Sequence, residues 1–319
     1  VGARLKILEI AGSGTAGTCA AGPVTSVVVH VANGFARAGH EVVVLDSPCP
    51  QARLLLDRSI VVHESSTFAR NPSMCEIRDL IGAHGFDAIH VHEAQHATRI
   101  GRSFATPVLW TAHGLNWTME RWVSPSPRAL LDRWRERAAG RAAARVVVLN
   151  QTSRRVFGRR NVEFIPNGID LSAWPEMDRC EARRRLGICS DEFRITYVGR
   201  IAPEKGVHVF TEAVRRARRE VPVVADAIGS FSGRFSTSDT ITPYATFVTA
   251  NADDVQFHGF IHRDSAEYRL RLAAADAIVM PSITEPFGFV ALEALACGAW
   301  LIGSDVGGIR DVLAPGTGT

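Results

Sequence analysis

At 319 residues, 46% hydrophobic and 22% charged, the chain has the composition of a globular protein. At roughly 150 residues per domain, its length fits about two domains. A net charge of +3 is too small to argue for nucleic acid, and no apolar run approaches the ~18 residues of a membrane-spanning helix.

The pattern begins with a strand over Leu5–Ile10, whose apolar stretch is interrupted by Glu9. The spacing then predicts a helix over Val24–Ala38, closed by Gly39, and a strand over Glu41–Leu45. Further strands are expected at Ala88–Val91, Val108–Thr111, Arg145–Leu149 and Glu163–Ile165. Pro166-Asn167-Gly168 reads as a linker. A second array follows: a strand over Ile195–Gly199, a helix over Val207–Arg219, then strands at Val223–Ile228, Val255–Phe257, Ala277–Met280 and Trp300–Gly303. The Ser/Thr-rich stretch Ser230–Ala250 reads as a long loop. Strands alternating with helices indicate βαβ units, so the expected class is α/β: two Rossmann-like domains, 1–168 and 169–319, with parallel sheets facing across a cleft. Ligands of such sheets bind beyond the carboxyl ends of the strands, so the residues just after strands carry the functional argument.

Gly12-Ser13-Gly14-Thr15-Ala16-Gly17 follows the first strand and matches the dinucleotide pattern G-x-G-x-x-G. Cys19 to Pro23 intervene before the helix, and Asp46 comes later than the usual ~20-residue spacing of the ribose-binding acid. The stretch therefore reads as a glycine-rich turn against a ligand in preference to an NAD site. After Ile195–Gly199 come Arg200 and Lys205, then a helix. Two cations beside a helix N-terminus make an anion site, with Arg200 able to fork onto phosphate oxygens and Lys205 acting as a point charge. Lys6 and Lys205 are the only lysines in a chain otherwise supplied with arginine, which sets Lys205 apart from an ordinary solvated loop.

Glu285-Pro286-Phe287-Gly288-Phe289 follows the Ala277–Met280 strand, and Pro286 suits the first turn of a helix. That places Glu285 just before the helix and Glu293 about two turns in, embedded among Ala291, Leu292, Ala294 and Leu295. A carboxylate so embedded needs a partner. His90 and His92 share one strand face, but no thiol or carboxylate cluster accompanies them in sequence, which argues against a metal and for hydrogen-bonded core histidines. His113 follows a strand and precedes Gly114, at the strand end. Arg128, Arg133, Arg135, Arg137, Arg141 and Arg145, with Leu130, Leu131 and Trp134, fit a solvated helix face or, alternatively, an anionic membrane surface. The six cysteines are scattered without a C-x-x-C pair and read as free thiols of a reducing compartment.

With these residues in place, the chain resembles glycosyltransferase family 4, whose members have the GT-B fold. The most specific element is the E-x7-E motif, Glu285 and Glu293 in EPFGFVALE, followed by Arg200 and Lys205 in GRIAPEKG. AGHEVVVL, DAIHVH, TAHG, IPNGID, VQFHGFI and SDVGGIRDVL support it in the same order along the chain.

The resemblance implies roles. Arg200 and Lys205 would hold the donor pyrophosphate. Glu293 would take the ribose hydroxyls, and Ile261 and Arg263 would lie near the base. Glu285 and the amides of Phe287, Gly288 and Phe289 would hold the transferred sugar, and His113 would touch that sugar near the reaction centre. Gly22 would contact the donor phosphate at the start of the first helix. The family's second glycine there is Pro23, which has no N–H to offer.

The implied activity is retaining and metal-independent transfer of a hexose-type sugar from a nucleotide diphosphate sugar, UDP-sugar by default, to an acceptor hydroxyl. No cofactor is implied. The implied location is cytoplasmic, with peripheral contact to the inner membrane face. The family's C-terminal helix that crosses back to the first domain is expected to be absent from this chain, which stops at Thr319. A sugar-nucleotide epimerase of the same architecture, an NAD-dependent oxidoreductase using the Gly12–Gly17 loop and a non-catalytic nucleotide-sugar binding protein remain as alternatives.

Overall fold

A computed structural model describes residues 3–10, 23–46, 55–65, 73–114, 127–157, 160–174, 176–189, 191–231, 238–250, 252–313 and 318–319. The chain divides into two compact units, Val1–Asn167 and Gly168–Thr319.

The first unit is built on a parallel sheet of β1 (Lys6–Ile10), β2 (Glu41–Asp46), β3 (Val61–Glu64), β4 (Ala88–Val91), β5 (Val108–Ala112), β6 (Arg145–Val148) and β7 (Val162–Phe164), in the order β3-β2-β1-β4-β5-β6-β7. Its central strands are mostly apolar because helices cover both faces, with Glu9 of β1 and His90 of β4 as buried polar exceptions. Val42 and Val44 pack on one side with Ala32, which lies in the helix Pro23–Arg37. Val43 and Leu45 turn to the other side, against Ile77 and Leu80 of the helix Met74–His84. This alternation is the period-two pleat of a strand buried on both faces. The strand order reverses between β1 and β4, which makes their carboxyl ends the switch point of the sheet.

The second unit repeats the plan with β8 (Phe193–Val198), β9 (Val223–Ile228), β10 (Val255–Phe257), β11 (Ala277–Met280) and β12 (Trp300–Gly303), ordered β10-β9-β8-β11-β12. Its switch point lies between β8 and β11. Ile278, Met280 and Leu301 pack on one face, while Tyr197, Ala225 and Ala227 pack on the other with Phe210 of the helix Val207–Ala217.

Two elements depart from the sequence reading. The stretch expected as a loop over Ser230–Ala250 contains a helix, Ser238–Ala250. Its Ser/Thr-rich composition hides two contacts that hold it: Val248 is fully buried and Tyr244 packs beside it in the cluster of Phe210 and Val214. The strand β3 was not expected: its apolar run, Ile60-Val61-Val62, is short and gives way to His63 and Glu64, and the strand lies largely exposed at the sheet edge.

Candidate functional site

In the second unit, the chain leaves β8 at Val198 and turns through Gly199, Arg200 and a 3-10 turn, Pro203–Lys205, into the helix Val207–Ala217. Gly206 joins the turn to the helix at φ 68°, and a Cβ there would stand 1.9 Å from the Pro281 carbonyl oxygen. The loops after β8 and β11 therefore touch at a point where only glycine fits. The Ile283 amide seals the contact by donating to the Glu204 carbonyl at 2.9 Å.

This closeness delivers Lys205 to Glu285, with Nζ 2.6 Å from Oε2 and both side chains largely buried. Arg200 Nη2 lies 2.9 Å from Oε1 of the buried Glu204. The Tyr197 hydroxyl donates to the Arg200 carbonyl at 2.6 Å and fixes that residue's backbone. The two cations expected to form an anion site here thus each face a carboxylate.

The loop after β11 ends at Gly288, at φ 92°, and the helix runs from Phe289 to Ala296. The sequence reading started this helix at Pro286. The left-handed glycine delays it by three residues, so Glu293 sits about one turn in instead of two. Glu293 is embedded, as its apolar neighbours suggested, with 2% of its surface exposed. Its Oε1 accepts from Arg263 Nη2 at 2.5 Å and its Oε2 from the Tyr268 hydroxyl at 2.6 Å. Burial, reinforced by the Glu293 charge, raises the Tyr268 pKa well above the usual phenol value, so this hydroxyl stays a donor.

Arg263 also lies over the Phe289 ring, 5.3 Å from its centre, and Phe289 meets the buried Phe287 edge-on at 5.1 Å. Ile261 packs against the core that contains Tyr268 and Met280. The Gly308 amide donates to the Glu285 carbonyl at 3.0 Å and anchors the first motif carboxylate. Arg200, Lys205, Ile261, Arg263, Glu285, Phe287, Gly288, Phe289 and Glu293 are all placed by this unit's loops and helix starts. Gly22 and the Gly12–Gly17 stretch lie outside the described residues.

In the first unit, His113 follows β5 and is joined to a buried network that the sequence reading missed. Glu9, next to last in β1, is fully buried. Its Oε2 lies 2.8 Å from His90 Nδ1, and its Oε1 meets His92 Nε2. His90 Nε2 lies 2.8 Å from Thr111 Oγ1, and His92 Nδ1 lies 2.7 Å from His113 Nε2.

The two histidines do share a strand face, but their carboxylate partner comes from the neighbouring strand, which no spacing along the chain reveals. The available signal was Glu9 itself, an acid set between the apolar Leu8 and Ile10. Burial would raise the Glu9 pKa, yet the attraction and hydrogen bonds of His90 and His92 outweigh it and hold the carboxyl at about 2. Burial lowers the His92 pKa, with His90 adding to the effect, so His92 stabilises Glu9 as a neutral hydrogen-bond donor. Glu9, His90 and His92 bring their potential ligand atoms within 4.8 Å of one another, the spacing of a cation cluster. Each facing nitrogen nevertheless has a carboxylate oxygen as its hydrogen-bond partner, which accounts for the cluster without an ion.

The sequence matches the family Glycosyltransferase Family 4 over residues 24–173 and the family Glycosyl transferases group 1 over residues 178–319. It is 29% identical over 248 residues to the D-inositol 3-phosphate glycosyltransferase of Geodermatophilus obscurus, an alignment covering 72% of this chain and 54% of that protein. The chain spans 54% to 60% of the length of such curated relatives. Among solved structures, it is similar to the sucrose-phosphate synthase from Thermosynechococcus elongatus, with a TM-score of 0.77 at 22% identity, covering 99% of this chain and 85% of that one. Anabaena HepE, solved in complex with UDP-glucose, gives a TM-score of 0.72 at 22% identity with the same coverage. These two likenesses concern the fold, which is GT-B.

Proposed function

Because the chain belongs to the family-4 glycosyltransferases, we propose that it moves a hexose-type sugar from a nucleotide diphosphate sugar to an acceptor hydroxyl, with retention and without a metal. The observation that carries this reading is the joining of Lys205 to Glu285 at 2.6 Å, which sets a phosphate-binding cation against the first carboxylate of the E-x7-E motif at a switch point. UDP-glucose, the ligand of Anabaena HepE, supports a UDP-sugar donor.

Breaking the anomeric C–O bond leaves negative charge on the departing diphosphate. Arg200, Lys205 and the N-terminus of the helix Val207–Ala217 stabilise that charge as it develops. Glu293 takes the ribose hydroxyls, and Ile261 and Arg263 border the base. Glu285 and the amides of Phe287, Gly288 and Phe289 hold the sugar, with His113 as a further sugar contact. The matched set holds no carboxylate nucleophile. The acceptor oxygen therefore attacks the face from which the phosphate departs, and the phosphate oxygen takes the acceptor proton.

The experiment is a thermal-shift panel of UDP, GDP, ADP, NAD and their sugars, followed by product analysis by NMR, with Arg200→Ala as control. Stabilisation by one nucleotide family, lost in the variant, with a product of unchanged anomeric configuration supports the reading. An inverted product removes the front-face mechanism. A new sugar epimer formed without an acceptor favours the epimerase, and donor binding without turnover favours a binding protein.

No described helix is long and apolar enough to cross a membrane. Exposed Leu130 and Trp134 beside Arg137 and Arg141, on the helix Pro127–Ala142, support peripheral contact with an anionic bilayer. Co-sedimentation with phosphatidylglycerol vesicles, weakened by Trp134→Ala, tests that contact.

A further inference from the structure

The Glu9 network fixes more than its own stability. A carboxylate only accepts hydrogen bonds, so the His90 nitrogen at 2.8 Å from Oε2 and the His92 nitrogen at Oε1 must both carry protons. A neutral imidazole has one N–H, which makes the opposite nitrogen of each ring an acceptor. His90 Nε2 then accepts from the Thr111 hydroxyl at 2.8 Å. His92 Nδ1 must accept from His113 Nε2 at 2.7 Å, so His113 carries its proton on Nε2. The His92 and His113 rings lie 24° from parallel and meet edge to edge through that bond, which holds the plane of His113 as well as its proton. The set Thr111–His90–Glu9–His92–His113 is continuous, and its carboxylate is fully buried on a strand at the switch point.

We propose that Glu9 and His92 are positioning residues for His113: through His92, the buried carboxylate fixes the tautomer and ring orientation of His113 and stabilises positive charge that develops on it. The catalytic consequence rests on the reading above that His113 contacts the transferred sugar. The tautomer set rests on the hydrogen-bond geometry of neutral rings. A histidine offers its partner either a donor or an acceptor at a given nitrogen, so its tautomer decides which group of the substrate it can engage. Thr111 can both donate and accept, so His90 could reverse its proton only where the Glu9 oxygen facing it is replaced by a donor, as in Glu9→Gln. His92 faces the same acceptor, and its opposite nitrogen meets His113, whose tautomer is therefore tied to its own.

The test uses the full chain with 15N-labelled histidine, read by long-range 1H–15N correlation at neutral pH, with signals assigned by single histidine replacements. The expected result is Nε2–H for His113 and His92, and Nδ1–H for His90. His113 found in the Nδ1–H form, or averaged between forms, overturns the proposal whatever the activity.

His92→Phe removes the acceptor for His113 and should release its tautomer. His92→Asn places an amide oxygen near the former Nδ1 and should restore the Nε2–H form while losing the tie to Glu9. This second variant also covers the case in which the first fails to fold. Glu9→Gln should leave the His113 tautomer in place, because His90 and Thr111 absorb the change, while removing the charge.

In sugar transfer, both His92→Phe and Glu9→Gln should lower kcat by about tenfold or more with KM little changed. Equal activity of Glu9→Gln and the parent protein overturns the charge role. Correct tautomers in a chain that transfers no sugar with any donor would sink the functional reading and leave the positioning geometry standing.

Discussion

Lys205 and Glu285 lie 80 positions apart in sequence and 2.6 Å apart in space, brought together by loops that follow adjacent strands. In the proposed reaction the lysine charge serves the departing diphosphate, and the carboxylate holds both the lysine and the sugar. Lys205→Ala should lower turnover by about 10²- to 10³-fold, the loss typical of removing one donor to a developing oxyanion. The thermal midpoint should fall as well, because the variant leaves the largely buried Glu285 carboxylate without its cation. Steady-state kinetics beside a melting curve checks both halves, and near-normal turnover would remove Lys205 from the site.

Glu293 should matter for folding as much as for binding. Its two oxygens are the partners of Arg263 and the buried Tyr268 hydroxyl, so Glu293→Ala strands both. The expected loss is about 3 kcal/mol, as for breaking a buried charged pair. Glu293→Gln keeps the shape and one acceptor, and should lose about 1 kcal/mol. Urea unfolding of the two variants provides the comparison; equal, negligible losses would mean that the Arg263 and Tyr268 contacts do not hold this carboxylate.

Stability should fall continuously on the acid side. The Glu9 carboxyl is held at about 2 in the folded chain against an ordinary 4.5, so the folded state gains fully above pH 4.5 and loses that gain as pH falls toward 2. The gain is on the order of 3 kcal/mol. His92 acts in the same direction from a higher pH: its folded pKa is below 6.5, so the unfolded chain binds the proton first and stability starts to decline below pH 6.5. In the second unit, burial would raise Asp226, but the hydrogen bonds of His258 and Arg194 hold it below its ordinary 3.8, which adds a loss in the lowest range. Melting curves between pH 8 and 3 should show this decline, and Glu9→Gln should flatten its lower part. An unchanged slope in that variant would mean that Glu9 does not set it.

The parallel strands were legible because each is a short apolar run between helical patterns, and β4, β9, β10, β11 and β12 fall where those runs fall. The placement of the second unit's candidate residues was legible for a related reason: Arg200, Lys205 and Glu285 lie in the loops that follow β8 and β11, and Glu293 lies on the helix after the second of these, so local order places them. The Glu9 network was not, since Glu9, His90 and Thr111 meet across three neighbouring strands and only the sheet order β1-β4-β5 makes them neighbours. The helix Ser238–Ala250 was lost to composition, and the helix beginning at Phe289 was displaced by a glycine whose left-handed φ no periodicity predicts.

Gly206 gives a test of whether the loops after β8 and β11 depend on their contact. Gly187 and Gly206 have nearly the same conformation, φ 69° and φ 68°, but a Cβ on Gly187 meets nothing within 4 Å, whereas one on Gly206 would stand 1.9 Å from the Pro281 carbonyl oxygen. Gly187→Ala should therefore show only the left-handed penalty, about 1 kcal/mol. Gly206→Ala carries that penalty and must also push the Pro281 backbone away, which breaks the Ile283 to Glu204 bond and carries Lys205 away from Glu285. Its stability loss should exceed that of Gly187→Ala by about 1–3 kcal/mol, as for overpacking a filled site. Nucleotide affinity should fall in Gly206→Ala alone. Matched denaturation curves and nucleotide titrations of the two variants make the comparison, and equal losses in both would mean that the two loops do not rest on each other.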